Sequence, residues 1–382
     1  MKNNKVLTIL SIIIIIAIVA VLVVLGYQFI KSSIETGNGV NNDSNQLTND
    51  NNNIQANSET NGQENTDTNI VNPVLNEITS NENNNGQVTE PFTSTYYYSQ
   101  LNETAKIIYD GLKENKSKLI SGNYTIDYST KFNTLLHTEK GEETLNQAFQ
   151  SAWDAFSYDH IDLFYIDVTK MSLTNEYQSI GGIATYKIKI GPGNNANYFQ
   201  PEFKDQKDVE DAQYYLEDIK KQIIGQTTTN STYLKVKRVH DWMISFMEYD
   251  NSTTASRSKY SIYGALKNRK AVCEGYARTF KYIMDGIGVP CVLVSGTAKN
   301  SEGTTESHAW NYVQLNERWY GVDVTWDDPI ITGGGELTND AKYRYFLKGS
   351  EEFSKDRKEN GQISEKSMKF KFPSLFLQNY TD

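Results

Sequence analysis

The chain has 382 residues, of which 38% are hydrophobic and 12% aromatic, so it can bury one or two sizeable cores. Its formal net charge of −10 and its pI near 5.1 give it no overall attraction for polyanions. Because no basic stretch with interleaved aromatic residues occurs either, we expect no nucleic acid among its partners.

An apolar segment opens the sequence. Residues 6–25 contain only Thr8 and Ser11 as polar side chains, and a helix of twenty residues spans roughly 30 Å, the thickness of a bilayer's hydrocarbon core. A cleaved signal peptide is the alternative, although its apolar region would normally be about 7–15 residues followed by a small-residue cleavage site. Two lysines precede the run and one follows it closely, which favours a cytoplasmic amino terminus. We therefore predict that residues 1–31 anchor the chain in the cell membrane and that the remainder is extracytoplasmic.

The next segment, residues 32–93, is rich in Asn, Thr, Ser, Glu and Gln, with scattered single aliphatic residues. It has neither helical nor strand periodicity and cannot bury enough apolar surface to offset the entropy of ordering. An Asn-rich tract can instead be prone to aggregation, but Asp, Glu and Pro interrupt this one. We interpret it as a disordered linker.

Residues 94–230 have the mixed periodicity of an α+β region. Apolar spacing predicts helices at 101–112 and 145–156 and a more polar helix at 207–224, and strand-like runs occur at 124–128, 163–168 and 183–190. No motif of catalytic residues is present in this region, so its role stays open.

The remaining residues, 231–382, are assigned to a second α+β domain. An apolar stripe predicts a helix from Val236 to about Tyr249, and further patterns predict a helix at 271–286 and strands at 291–294, 308–315 and 319–326. The last two strands are separated only by Asn316 and Glu317, which predicts a β-hairpin.

The register of that hairpin brings two titratable residues together. If the turn is centred on residues 316–317, Trp310 faces Asp323 and His308 faces Thr325. Directly opposed residues share one face of a sheet. His308 and Asp323 then become diagonal neighbours within reach of an imidazole–carboxylate hydrogen bond, on the face away from the aliphatic residues.

The third candidate is Cys273, in the first turn of the predicted helix at 271–286. The partial positive charge at a helix start favours the reactive thiolate, a nearby histidine stabilises it further, and an aspartate orients the imidazole. Cys273, His308 and Asp323 are thus the parts of a thiol acyl-transfer site. The other cysteine, Cys291, could pair with Cys273 in a disulfide, but its apolar neighbours favour a buried free thiol.

Three segments with these residues resemble the bacterial transglutaminase-like superfamily. Residues 263–277 are similar to its nucleophile segment, residues 308–313 to its histidine strand and residues 320–329 to its aspartate strand. The order Cys, His, Asp and the separations of 35 and 15 residues also fit. Arg269 departs from the pattern, because a glycine is expected in the turn before the nucleophile.

The resemblance implies a papain-like α+β core and a thioester acyl-enzyme formed on Cys273, with the backbone N–H of this residue as one oxyanion donor. The superfamily includes protein cross-linking enzymes, peptidases and deglycosylating enzymes, so the acceptor, amine or water, stays open. Trp310 and Trp326 could line a groove for the acyl group or could equally belong to the core.

No metal or cofactor is expected. The histidines and cysteines lack the spacing of zinc ligands, no acidic loop has the EF-hand pattern, and no phosphate-binding glycine loop occurs. The sequence predicts a membrane-anchored enzyme that acts on amide bonds of a protein or peptide substrate at the cell envelope. The alternative is a catalytically silent binding or scaffold module of the cell surface.

Overall fold

The computed structural model describes residues 95–253, 256–300, 302–329 and 337–381. The predicted anchor at 1–31 and the predicted linker at 32–93 lie outside the described residues. Within the described part of the chain, no helix is both long enough and apolar enough to cross a membrane.

Helices and strands are both present along the described chain, and most strands belong to antiparallel sheets, which confirms the α+β class. The helices are α1 (Glu103–Glu114), α2 (Lys116–Leu119), α3 (Asn133–Leu136), α4 (Gly141–Asp159), α5 (Gln206–Gln226), α6 (Thr232–Phe246), α7 (Ile262–Asn268), α8 (Cys273–Gly286), α9 (Asn339–Lys342) and α10 (Ser350–Phe353). The strands are β1 (Ile126–Ser129), β2 (Ser172–Ile180), β3 (Ile183–Gly191), β4 (Glu248–Tyr249), β5 (Lys270–Ala271), β6 (Cys291–Lys299), β7 (Thr305–Leu315), β8 (Arg318–Val322) and β9 (Arg357–Glu359).

Two antiparallel sheets organise these strands. The larger has the order β8-β7-β6-β9, the smaller has the order β1-β3-β2, and β4 and β5 form a short parallel pair. The larger sheet is covered by α8, whose buried residues include Tyr276, Phe280 and Met284. A side-chain hydrogen bond fixes this packing, since Asn311 Nδ2 on β7 donates to the carbonyl of Ala277 at 3.0 Å.

Contacts cross the predicted domain boundary near residue 230. Tyr97 is fully buried and its hydroxyl donates to the carbonyl of Leu293 on β6. Helix α5 is joined to α8 because the Tyr282 hydroxyl donates to Glu217 at 2.7 Å. The division into two domains stays a prediction.

Most predicted elements are present in the structure, but the strands differ from the prediction in several places. Residues 163–168 form turns with one isolated bridge, Ile166 to Phe199, because this apolar segment is buried without a neighbouring strand to pair with. Strand β2 was not predicted, since most of it is exposed and lacks an apolar face. Strand β6 continues five residues beyond Val294 into the stretch expected to be a polar loop.

The hairpin between β7 and β8 has the predicted register. The ladder pairs Leu315 with Arg318 and continues to Asn311 opposite Val322. Both turn residues are left-handed, Asn316 with φ 49° and Glu317 with φ 64°, as a two-residue hairpin turn requires. The predicted end of β8 at Trp326 is wrong, because the strand ends at Val322 and residues 324–327 form a turn.

Candidate active site

Cys273 is the first residue of α8, directly after the short strand β5. The residue that precedes the helix, Val272, has extended backbone and no side chain that could accept from the first N–H groups of the helix. Those N–H groups are therefore available to a negatively charged atom near the thiol. Cys273 is a free, half-buried thiol, so a substrate can reach it.

His308 lies on β7 opposite Gly296 of β6 and is 6% exposed. Its Nε2 is 2.7 Å from Oδ2 of Asp323. Cys273 is the other group that raises the pKa of this imidazole, and Nδ1 is the ring nitrogen that the carboxylate does not use. Burial alone would lower the pKa of His308, but Asp323 first and Cys273 second outweigh it and raise this pKa to about 10. The imidazole is therefore cationic at neutral pH.

Asp323 occupies the first position after β8 and is 1% exposed. Its Oδ1 accepts from the backbone N–H of Trp326 at 3.2 Å, and its carbonyl accepts from the N–H of Asp327 at 3.1 Å. These local bonds replace strand pairing, which explains why β8 ends here. Burial would raise the pKa of Asp323, but His308 and Arg357 lower it to about 2.

Arg357 is a site residue that the sequence did not reveal. Its guanidinium contacts Asp323 Oδ2 through Nε at 3.1 Å and through Nη2. It lies 34 residues after Asp323 in the chain, on β9, and no local pattern links the two. The bond forms only because β9 joins the opposite edge of the sheet, and this position depends on the tertiary fold.

The two tryptophans proposed for substrate binding occupy different environments. Trp310 is 1% exposed and packs edge-on against Phe353 in the core. Trp326 is half-buried, with its ring centroid 5.1 Å from that of His308. Trp326 also lines a cavity of about 450 Å³, together with Lys299, Asn300, Glu306, Pro329, Ala341, Arg344, Tyr345 and Asp356. Of the two, only Trp326 is accessible to a substrate in this conformation.

Cys291 is the second free thiol and is 1% exposed on β6. Burial raises the pKa of Cys291 well above that of an ordinary thiol, which makes it unreactive. The structure thus has no disulfide between the two cysteines.

A second histidine–carboxylate cluster lies beneath the turn that carries Asp323. His240 on α6 is fully buried, with Nε2 3.0 Å from Asp327 Oδ2 and Nδ1 3.2 Å from Asp241 Oδ1. Burial would lower the pKa of His240, but its hydrogen bonds to the two carboxylates raise it above its usual value. Asp327 Oδ1 also accepts from the backbone N–H of Tyr345 at 2.7 Å. This cluster is closed to solvent and holds the turn in place.

Tyr249 is a further residue close to the thiol. It pairs with Ala271 in the short parallel strands, two residues before Cys273. Burial, with smaller contributions from Cys273 and Glu306, raises the pKa of Tyr249 to about 12. In the described ranges, no group of three or more His, Cys, Asp or Glu side chains could hold a metal ion.

The comparison with known families agrees with this geometry. A family model described as the transglutaminase-like superfamily matches residues 217–324, a segment that contains Cys273, His308 and Asp323. The chain therefore contains a transglutaminase-like core.

Two curated proteins are similar over a short stretch. The chain is 31% identical over 106 residues to kyphoscoliosis peptidase of Mus musculus, and 30% identical over 106 residues to the Homo sapiens protein of the same name. Each alignment covers 25% of this chain and 16% of the relative. The chain thus spans about one sixth of the length of these relatives.

Solved structures with some likeness include a crystal structure of a TGase, with 21% identity, a TM-score of 0.26 and coverage of 46% of this chain and 49% of that one. The periplasmic domain of TgpA from Pseudomonas aeruginosa, bound to ethylmercury, has 12% identity, a TM-score of 0.23 and coverage of 42% and 66%. TM-scores this low add nothing to the assignment, which rests on the sequence match.

Proposed function

We propose that this protein is a thiol enzyme that cleaves amide bonds of a protein or envelope peptide through a thioester on Cys273. The observation that carries the proposal is the buried His308–Asp323 pair, with Nε2 2.7 Å from Oδ2, together with the half-buried Cys273 thiol at the start of α8, which helps to raise the pKa of His308. An imidazolium next to a helix start is the setting in which a thiolate is stable and reactive.

The first half of the reaction forms the thioester. The Cys273 thiolate attacks the amide carbonyl carbon, and the oxygen takes up negative charge near the N–H groups at the start of α8. His308 donates its Nδ1 proton to the amide nitrogen, the C–N bond breaks, and ammonia or an amine leaves. Asp323 holds the ring so that Nδ1 points at the sulfur and the leaving nitrogen.

The second half regenerates the enzyme. His308, now neutral, accepts a proton from water or from a primary amine, and the resulting nucleophile attacks the thioester carbonyl. The C–S bond breaks and the Cys273 thiolate is restored beside the imidazolium. Water gives hydrolysis and an amine gives a new amide, so the same residues serve either outcome. The word peptidase in the names of the two curated relatives favours water as the acceptor.

We further propose that the substrate passes over Trp326 into the cavity beside it. The indole is half-buried next to His308, so it can contact the acyl chain on one face. Trp326→Ala is expected to raise KM more than it lowers kcat, whereas Trp319→Ala, a half-buried indole on β8, is the control. A membrane anchor at residues 1–31 would confine this activity to envelope proteins or peptides within reach of the linker.

The proposal is tested with the full-length protein in detergent, incubated with glutamine-containing peptides with and without a primary amine. Mass spectrometry distinguishes amine incorporation from conversion of glutamine to glutamate and from peptide cleavage. Iodoacetamide should label Cys273 selectively at neutral pH. Cys273→Ala should abolish labelling and turnover, while Cys291→Ala, the matched cysteine control, should leave both largely intact.

Three outcomes would contradict the proposal. Preferential labelling of Cys291, or turnover that survives Cys273→Ala, would contradict the assigned nucleophile. Selective labelling of Cys273 without turnover of any peptide or amine pair would favour the silent binding module.

A further inference from the structure

The side chain of Arg357 is buried between two carboxylates. It is 1% exposed, with Nε and Nη2 on Asp323 Oδ2 and with Nη1 2.6 Å from Asp356 Oδ1. A cation of this kind is rarely buried unless its donors are satisfied. The fork of the guanidinium spans both carboxylates, which the single ammonium of a lysine cannot do.

Aromatic rings fix the orientation of this guanidinium. Its central carbon lies 3.8 Å from the ring centroid of Tyr345, 4.4 Å from that of Trp326 and 4.7 Å from that of Phe353. The Tyr345 hydroxyl also donates to Asp356 Oδ2 at 3.0 Å. The arginine therefore cannot rotate away from Asp323 without disrupting this cluster.

Arg357 contacts the same oxygen of Asp323 that binds His308. Oδ2 receives both His308 Nε2 and Arg357, while Oδ1 is held by the Trp326 N–H. The charged groups that face this carboxylate are His308 from β7, Arg357 from β9 and Asp327 from its own turn. The arginine thus adds two charged donors to the oxygen that binds His308, and so strengthens the orientation that the imidazole and the Trp326 N–H already favour.

We propose that Arg357 is a positioning residue of the active site, which fixes the Asp323 carboxylate as an anion in the orientation that receives His308. This inference rests on the proposed function. The contrasting role is purely structural, in which the arginine only fills the space between Trp326 and Phe353.

The two roles differ in their effect on the pH profile. The full-length protein is assayed for the rate of Cys273 alkylation by iodoacetamide between about pH 3 and pH 9, and for peptide turnover. Without the arginine, Asp323 should take up a proton at a pH higher by about one to three units. The acid limb of alkylation and turnover should therefore lie at a higher pH in Arg357→Met than in the wild type. At neutral pH we expect its kcat to fall by about 10-fold or more with KM little changed.

A second variant separates the effect of the positive charge of Arg357 from the effect of its forked guanidinium. Arg357→Lys should keep the wild-type acid limb, because the charge stays, but should lose at least about fivefold in kcat, because one ammonium cannot hold both carboxylates. Arg318→Met is the matched control, since this exposed arginine also lies over an aromatic ring, 4.1 Å from Phe376, yet does not contact the site. Thermal unfolding of each variant reports whether it is folded.

A double-mutant cycle supplies the decisive comparison. If Arg357 acts through Asp323, then Arg357→Met should change the rate by less than about twofold in an Asp323→Asn background. A loss there as large as in the wild type, or an acid limb that does not move in Arg357→Met, would overturn the inference. If the methionine variant does not fold, wild-type turnover in Arg357→Lys would overturn the inference on its own. Failure of the proposed function is distinct, because the wild type itself would then show no turnover or would not be alkylated selectively at Cys273.

Discussion

Asp323→Asn tests the electrostatics of the site with a minimal change in shape. The substitution keeps the size of the side chain, removes its charge and offers an amide NH₂ to the ring nitrogen that now donates. Burial by itself lowers the pKa of His308, and Asp323, with a smaller contribution from Cys273, raises it to about 10 against an ordinary value of 6.5. At about 1.4 kcal/mol per pH unit, the imidazolium is favoured by on the order of 5 kcal/mol.

The sign of the effect follows from the raised pKa. The pair stabilises the folded protein fully below pH 6.5, and this contribution is lost as the pH rises through about 10. At pH 7 the wild-type imidazole is therefore protonated, whereas in Asp323→Asn it becomes neutral and the thiolate loses its partner. A loss on the order of 5 kcal/mol corresponds to roughly 10³- to 10⁴-fold, which agrees with the roughly 10⁴-fold loss of kcat for the equivalent substitution in a serine triad.

The assay is the pH profile of Cys273 alkylation together with peptide turnover at pH 7. We expect the pH of half-maximal alkylation to rise and turnover to fall by three to four orders of magnitude. Asp328→Asn is the control, because its carboxylate accepts from the Tyr276 hydroxyl at 2.7 Å and has no bond to His308. Thermal unfolding must accompany the assay, since the variant leaves Arg357 with one carboxylate fewer. Turnover within tenfold of the wild type and an unchanged profile in folded protein would refute the reasoning.

Three further substitutions test the framework around the site. Arg269 has φ 55° at the end of α7, a backbone conformation that glycine adopts more readily than alanine. In urea titrations, the free energy of unfolding of Arg269→Gly should therefore be about 1 kcal/mol higher than that of Arg269→Ala. His240→Gln should destabilise the protein by about 3–5 kcal/mol at pH 8 because it leaves a buried carboxylate unpaired. It should destabilise less at pH 5, since burial raises the pKa of Asp327 to about 6. Gly296→Ala would place a Cβ 2.2 Å from the Lys358 carbonyl, so it should displace β9 and lower both stability and turnover.

Each of these expectations has its own check. A glycine variant no more stable than the alanine variant would mean that the left-handed turn before the nucleophile is not strained by Arg269. An equal loss at both pH values in His240→Gln would mean that the carboxylate stays ionised. For Gly296→Ala the control is Gly225→Ala, where no atom lies within 4 Å of the added Cβ. If Gly296→Ala kept wild-type turnover, the position of β9 would not be needed for the function of the site.

Helices and the hairpin could be predicted because each depends on residues close in sequence. The apolar spacing that predicts a helix at 271–286 is the face of α8 that packs on the sheet. The two-residue turn at Asn316 and Glu317 determines which residues oppose one another, so the proximity of His308 and Asp323 could be deduced before the fold was known. That deduction holds although β8 ends one residue before Asp323.

The rest of the site depends on contacts between distant segments. Arg357 reaches Asp323 only because β9 pairs with β6, and His240 reaches Asp327 across 87 residues. Neither contact produces a periodic pattern of residues in the sequence. Asp327 lies in the turn after Asp323, and nothing near it in the sequence indicates that it contacts a buried histidine. The sequence also does not indicate that Trp326 and Arg357 lie against this face of the hairpin and bury the pair.

The turn at residues 323–327 connects these two sets of contacts. Asp323 and Asp327 are four residues apart and are joined by a backbone hydrogen bond of 3.1 Å. One accepts from His308 on β7 and the other contacts His240 on α6. The position of the Asp323 carboxylate is thus determined from both ends of one turn, by the sheet and by α6, whose His240 lies 87 residues before Asp327. An aspartate held in this way can orient the imidazole without moving during the reaction, which is the preorganisation that electrostatic catalysis requires.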